Sequence, residues 1–118
     1  MKPYQQGIDY ALKIIRPKWN IEIIMLLMDG AKRFNELQTS IEGIRSKPLT
    51  DCLRRLETAG IIYRTSFPVV PPKVTYTLTE SGKAIEPLLC YLNEWGKEQQ
   101  RKYEEILKES PVYSLDFM

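Results

Sequence analysis

The stretch from Gly30 to Thr79 constrains the fold more than any other, because the spacing of its apolar residues changes character along it. Phe34, Leu37 and Ile41 lie three and four residues apart, which makes one apolar face on a short helix. A turn is expected at Glu42-Gly43-Ile44. Ser46-Lys47-Pro48 then opens a second helix whose inner side carries Leu49, Leu53 and Leu56, and Gly60 ends it. Two β-rich runs follow, Ile61 to Phe67 and Val74 to Thr79, with Pro68, Pro71 and Pro72 in the loop between them.

Helix, turn, helix and hairpin is the order of a winged helix-turn-helix, an architecture that lays its second helix in the major groove of DNA. The expected fold class is therefore mainly α with a small β-hairpin. One such domain is expected over residues 1–118, with a core at about 8–98 and a C-terminal helical dimerisation extension and tail at about 99–118. Upstream, Ile8 to Ile15 reads as a short helix stopped near Arg16-Pro17, since a proline disfavours helix in the residue before it. Lys18 to about Met28 reads as a helix apolar on nearly every side, which predicts central burial, and Asp29-Gly30 ends it. Downstream, Thr79 is expected to cap a long helix reaching about Gln99, with Ile85, Leu88, Leu89, Leu92 and Trp95 as its apolar positions and a bend at Pro87. The charged stretch Arg101 to Glu109 continues or restarts that helix. Ser110-Pro111 should break it, leaving a tail with Val112, Tyr113, Leu115 and Phe117.

Composition removes most other classes. The chain has 118 residues, 43% of them apolar, yet no run of about 18 apolar residues, so no membrane span is expected. Met1 to Gln6 lacks the apolar core of a signal peptide, and the expected location is the cytoplasm. Two cysteines and no histidine exclude a zinc finger, a disulfide scaffold and histidine-dependent catalysis. With no nucleophile–base pair, metal cluster or glycine-rich phosphate loop in the sequence, no catalytic residue, metal or cofactor is expected, and the chain does not read as an enzyme. The net charge is only +2, but its distribution is uneven. Between Ala31 and Lys73 lie eight basic residues against four acidic ones, leaving nine against eleven for the rest of the chain. Positive charge is concentrated where nucleic acid would lie.

Rotation of about 100° per residue sorts the second helix. Leu49, Leu53 and Leu56 fall on one side, and Lys47, Asp51, Arg54 and Thr58 on the other, flanked by Thr50 and Arg55. Because the N-terminal part of such a helix meets base edges, Lys47, Pro48, Thr50, Asp51 and Arg54 are the expected readers. Lysine and arginine donate to guanine O6 and N7, aspartate accepts from cytosine N4, and threonine or proline surface touches a thymine methyl. The proline-stiffened wing carries Lys73, suited to phosphate or minor-groove contact. Arg33 and Asn35 are further phosphate candidates, although Arg33 has the alternative of pairing with an acid at the rim of the core, and Ser46 and Arg55 complete the expected DNA-binding set.

Seven segments in order carry a resemblance: K-W-N at Lys18–Asn20, R-F-N-E-L at Arg33–Leu37, L-T-D-C-L-R-R-L-E at Leu49–Glu57, A-G-I-I at Ala59–Ile62, P-P-K-V-T-Y-T-L-T at Pro71–Thr79, S-G at Ser81-Gly82 and W-G at Trp95-Gly96. Over roughly residues 8–98 the chain resembles the HxlR-type winged helix-turn-helix regulators of bacteria and archaea, which are MarR-like. The resemblance implies a homodimer paired through its terminal helices, here around Ile8, Tyr91, Leu92 and Trp95, acting on double-stranded DNA at promoters. It leaves room for a small-molecule effector of unspecified identity. Two departures matter. Many members carry a sensing cysteine near the start of the first helix, where Gly7 stands here, so thiol sensing from that position is not expected. The family also tends to have serine where Arg45 stands; Ser46 is expected to take over the helix cap, freeing Arg45 for a phosphate. Cys52 is expected to be a half-buried packing residue and Cys90 to face away from the Leu88–Leu92–Trp95 side, at a subunit interface; a redox role for either would need an exposed thiol of lowered pKa. The competing reading is a protein-interaction module that keeps the winged-helix shape without reading DNA, which the modest net charge and Asp51 on the reading face leave open.

Overall fold

The computed structural model describes residues 3–109, with side chains from Gln5 to Lys108. In chain order the elements are α1 Pro3–Ile15, α2 Asn20–Leu27, α3 Phe34–Ser40, α4 Ser46–Thr58, β1 Ile62–Phe67, β2 Lys73–Leu78, α5 Glu80–Lys83 and α6 Glu86–Glu109. The chain divides into two compact units, Met1–Ala84 and Ile85–Met118.

The first unit is organised by the apolar stripes of its short helices. Ile23, Ile24 and Leu27 of α2, Leu37 of α3 and Leu49, Cys52, Leu53 and Leu56 of α4 are all buried. Ile41 and Ile44 join them from the turn between α3 and α4, and Ile62 and Leu78 from the base of the hairpin. Each Leu or Ile withdrawn from water contributes roughly 1.5–3 kcal/mol before chain entropy is counted. The expectation of central burial holds for Ile23, Ile24 and Leu27 of α2, whereas Ile21 and Leu26 are half-buried and Met25 is exposed. Its first residue, Asn20, is buried too, and its Nδ2 donates to the Ile14 carbonyl at 2.6 Å, tying the end of α1 to the start of α2.

Gly43 and Gly60 have φ of +80° and +77°, a region that side chains avoid. Gly43 turns the chain between α3 and α4, and Gly60 turns it out of α4 into the wing. The strands pair antiparallel from Ile62↔Leu78 to Phe67↔Lys73. A third piece of backbone completes the sheet edge: Lys32 and Tyr76 exchange N–H···O bonds of 3.1 and 2.8 Å. That bridge, one residue long and remote in sequence, left no periodic signal.

Two helix boundaries differ from expectation. α1 begins at Pro3, not near Ile8. Proline fits a first helical turn, and the polar residues after it carry no apolar rhythm to announce a helix. The predicted helix from Thr79 to about Gln99 is two helices, with Ala84 and Ile85 between them. Thr79 does cap: its Oγ1 accepts from the Gly82 N–H at 3.1 Å and donates to the Gly60 carbonyl at 2.6 Å. The helix it starts ends at Lys83, the residue whose carbonyl the Pro87 ring would strike if the helix ran on. Pro87 is instead the second residue of α6, where a missing N–H costs nothing, so it separates two helices and bends neither.

The second unit contains α6, which runs without interruption through the charged stretch to Glu109. Arg101 donates Nε and Nη2 to Glu98 at 3.2 and 2.6 Å and Nη1 to Glu105 at 2.6 Å. Those hydrogen bonds and the adjacent charge hold the Glu98 carboxyl below its ordinary range. The expected break at Ser110-Pro111 and the tail lie outside the described residues. Among the described residues no helix is long and apolar enough to cross a membrane.

Candidate nucleic-acid interface

The site is built on α4, and the start of that helix fixes which side chains it presents. Arg45 is its N-cap, with extended backbone at φ −95° and ψ 166°, and its carbonyl accepts the first helical bond from the Leu49 N–H at 3.1 Å. Ser46 does not cap. It is already the first helical residue, one position too late for its hydroxyl to reach back to the free N–H groups, and no side-chain cap bond is made. The hydroxyl instead accepts from Gln38 Nε2 on α3 at 3.1 Å, bracing the two helices of the pair. The Arg45 side chain is exposed and makes no hydrogen bond or ion pair among the described residues. Pro48 falls in the first turn, where it costs no hydrogen bond.

Along α4 the burial alternates as the rotation predicts. Leu49, Cys52, Leu53 and Leu56 face the core, while Lys47, Arg54 and Thr58 are exposed and Thr50 and Asp51 half-buried. Lys47 and Asp51 do not stand apart as separate readers: Lys47 Nζ meets Asp51 Oδ2 at 3.3 Å. The pair is exposed and lysine precedes the acid, the less favourable order on a helix, so it stabilises by no more than about 0.5 kcal/mol and yields readily to a ligand. Arg54 is exposed and unpaired among the described residues. Arg55, one position on, turns its Nη2 to Cys52 Sγ at 3.6 Å.

Flanking α4 are the wing and the start of α3. Lys73 stands opposite Phe67 at the loop end of the hairpin, its Nζ 5.2 Å from the centre of the Phe67 ring. The ring fixes the ammonium near the tip without neutralising it. Beyond it Val70 is 100% exposed, so the tip also offers apolar surface. Arg33 is the N-cap of α3; its backbone N–H donates to Glu36 Oε1 at 2.9 Å and its exposed side chain pairs with no acid among the described residues. Asn35 is exposed beside it. Ile8 on α1 is exposed, as are Tyr91, Leu92 and Trp95 on α6.

Cys52 is fully buried, not half-buried. Its place on the helix lies inside the leucine arc, and Arg55 covers its sulfur. A thiol reagent should therefore modify Cys52 only as the protein unfolds, and mass spectrometry of the native and urea-treated protein would read this directly. Labelling of Cys52 at the same rate in both would contradict its packing. Cys90, on α6, is exposed.

A profile of the HxlR-like helix-turn-helix family matches residues 14–104. An HTH-type transcriptional regulator of Methanothermobacter thermautotrophicus is 43% identical over 94 residues, covering 80% of this chain and 72% of that protein. Among solved structures, a transcriptional regulator of the MarR family from Enterococcus faecalis is similar with a TM-score of 0.81 and 37% identity, over 89% of this chain and 96% of that one. The reduced form of the transcriptional regulator YodB from B. subtilis is similar with a TM-score of 0.75 and 37% identity, over 83% and 93% of the two chains.

Proposed function

This chain belongs to the HxlR-like helix-turn-helix family and is a transcriptional regulator with a winged helix-turn-helix fold, and from that premise we propose that it binds double-stranded DNA as a homodimer on an inverted repeat. The observation that carries the reading is the outer face of α4. Lys47, Thr50 and Arg54 stand on it with donors directed away from the leucine side, braced through Ser46 and flanked by the Lys73 wing. A face of that kind fits a major groove, and two related by a two-fold axis fit half-sites about 34–36 Å apart. The duplex is the partner, the work is done without catalysis, and the cytoplasm is the place where such DNA is met. The test is a binding titration on duplex DNA at several salt concentrations. A regulator that reads DNA loses affinity as salt rises and distinguishes its selected duplex from a scrambled one. A winged-helix module that binds only protein does neither.

The dimer rests on exposed apolar surface. Tyr91 is 70% and Trp95 57% exposed on α6, and α1 exposes Ile8, Tyr10 and Leu12. Surface of this kind on two elements of a small chain fits an isologous contact with a second copy. Sedimentation should give a dimer at micromolar concentration, and Trp95→Glu, which places charge on that surface, should shift it to monomer. A wild-type monomer whose mass does not change when DNA is added would refute the pairing. Thiol sensing through the start of α1 is not part of the proposal, since Gly7 holds that position.

A further inference from the structure

The Lys18-Trp19 dipeptide of the α1–α2 turn has so far no part in DNA reading. We propose that it forms, with Arg55 of α4, a seat for a DNA backbone phosphate, so that the contact surface extends from the reading helix onto the α1–α2 turn. The inference rests on the reading that the chain binds duplex DNA; it adds Lys18 and Trp19 to that surface and gives Arg55, already an expected DNA contact, a phosphate to meet.

A recess of about 320 Å³ lies where Pro17, Lys18 and Trp19 face the N-terminal half of α4, with Lys47, Asp51 and Arg55 on its other wall. Lys47, Asp51 and Arg55 are spaced by four, so they form one ridge along α4 that starts on the reading face at Lys47 and drifts, about 40° at each step, to the side of the α1–α2 turn at Arg55. Three cations surround a single carboxylate, and that carboxylate is already held by Lys47 at 3.3 Å. Lys18 and Arg55 are therefore the uncompensated charges of the recess. Lys18 is exposed, with its Nζ 5.0 Å from the centre of the Trp19 ring, which positions the ammonium and leaves its charge intact. Arg55 spends one donor on the Cys52 sulfur, a weak acceptor, and keeps its others. Trp19 and Pro17 supply an apolar wall suited to a sugar. α2 begins at the same wall, with Trp19 as its N-cap and the Asn20 N–H donating to the Pro17 carbonyl at 3.1 Å. A helix lying in the major groove has phosphates along both of its flanks, and the recess occupies one flank of α4. Arg55 thus belongs with the groups that position the protein, not with those that read bases.

The test uses the full-length protein and a duplex it has itself selected from a random pool, beside a scrambled duplex. Anisotropy titrations at several salt concentrations compare wild type with Lys18→Gln, Arg55→Gln, the double variant, and Lys83→Gln as a control for net charge. Lys18→Gln and Arg55→Gln should weaken both duplexes by the same factor. They should also flatten the plot of log affinity against log salt by roughly 0.9 for each phosphate no longer neutralised. Lys18→Arg should restore it, and Lys83→Gln should leave the slope unchanged. Thermal melts of the same variants confirm that each is folded. An unchanged slope in Lys18→Gln, or a loss confined to the selected duplex, overturns the phosphate seat while DNA reading stands. If inorganic phosphate raises the melting temperature of wild type and not of the double variant while their salt slopes agree, the recess holds free anion and the proposal fails. A wild type with no salt-dependent binding to any duplex overturns the parent reading and this one together.

Discussion

Replacing Gly82 with alanine should destabilise the first unit by about 3 kcal/mol, at the upper end of what overpacking costs. Gly82 is buried, and a Cβ built on it would overlap the backbone carbonyl oxygen of Ile61 and press on the Leu78 side chain. That oxygen has no freedom to retreat. It accepts the Thr79 N–H at 3.0 Å, and it sits between Gly60, with its positive φ, and the buried Ile62. The clash is therefore with backbone pinned at both ends, and relief requires α5 to lift off the base of the wing. Thermal unfolding should show a fall of roughly 10 °C or more. The same substitution at Gly7, in α1 with nothing within 4 Å of a new Cβ, should be neutral or stabilising by about 0.5–1 kcal/mol. Thr79→Ala removes the hydroxyl bonds without adding bulk and should cost about 1 kcal/mol. If Gly82→Ala melts with wild type, the close approach of α5 to Ile61 is not as described.

Gly82 also illustrates what in this chain could be read in advance. Its Ser81-Gly82 motif was recognisable, but the reason for it was not, because a close approach depends on Ile61, far away along the chain. The two helices of the motif and the hairpin were legible for the opposite reason: each carries its own period. Phe34, Leu37 and Ile41 define a helix face locally, as do Leu49, Leu53 and Leu56, and the exposed side of α4 follows from the same rotation. What failed were features one residue wide or dependent on a distant partner. Whether a serine sits at the cap or one position inside it changes its chemistry completely, and the Ser46 hydroxyl found its partner in Gln38 on another helix. The Lys32–Tyr76 bridge is a single pairing across the chain. The division between α5 and α6 was signalled by Pro87, but a proline is compatible both with a bend inside one helix and with the start of a second. Only the position of Lys83 at the end of α5 decides between them. The pairing of Lys47 with Asp51 was implicit in their spacing of four; it changes the site, because a lysine already sharing its charge is a weaker reader than a free arginine.

That distinction makes Arg54 and Lys73 the residues whose loss should separate base reading from backbone positioning. Arg54 is exposed near the middle of α4, unpaired among the described residues and able to present a fork of donors to one guanine edge. Arg54→Ala should cost on the order of 1–3 kcal/mol on the selected duplex and relax preference at one position in each half-site, with a small effect on the scrambled duplex. Lys73 is a single point charge at the end of the wing, held 5.2 Å above the Phe67 ring, where the neighbouring groups of a bound duplex are phosphates and the minor groove. Lys73→Ala should therefore weaken all sequences alike and reduce the salt slope by about one unit for each phosphate it leaves unneutralised. Phe67→Leu offers a check on the geometry, since removing the ring frees the ammonium without removing its charge, and it should reproduce only part of the Lys73→Ala loss. Titrations of all three variants on both duplexes, across a range of salt, read the two effects on one scale. Equal losses on both duplexes with the same change of slope for Arg54→Ala and Lys73→Ala would show that helix and wing do not divide the work in this way.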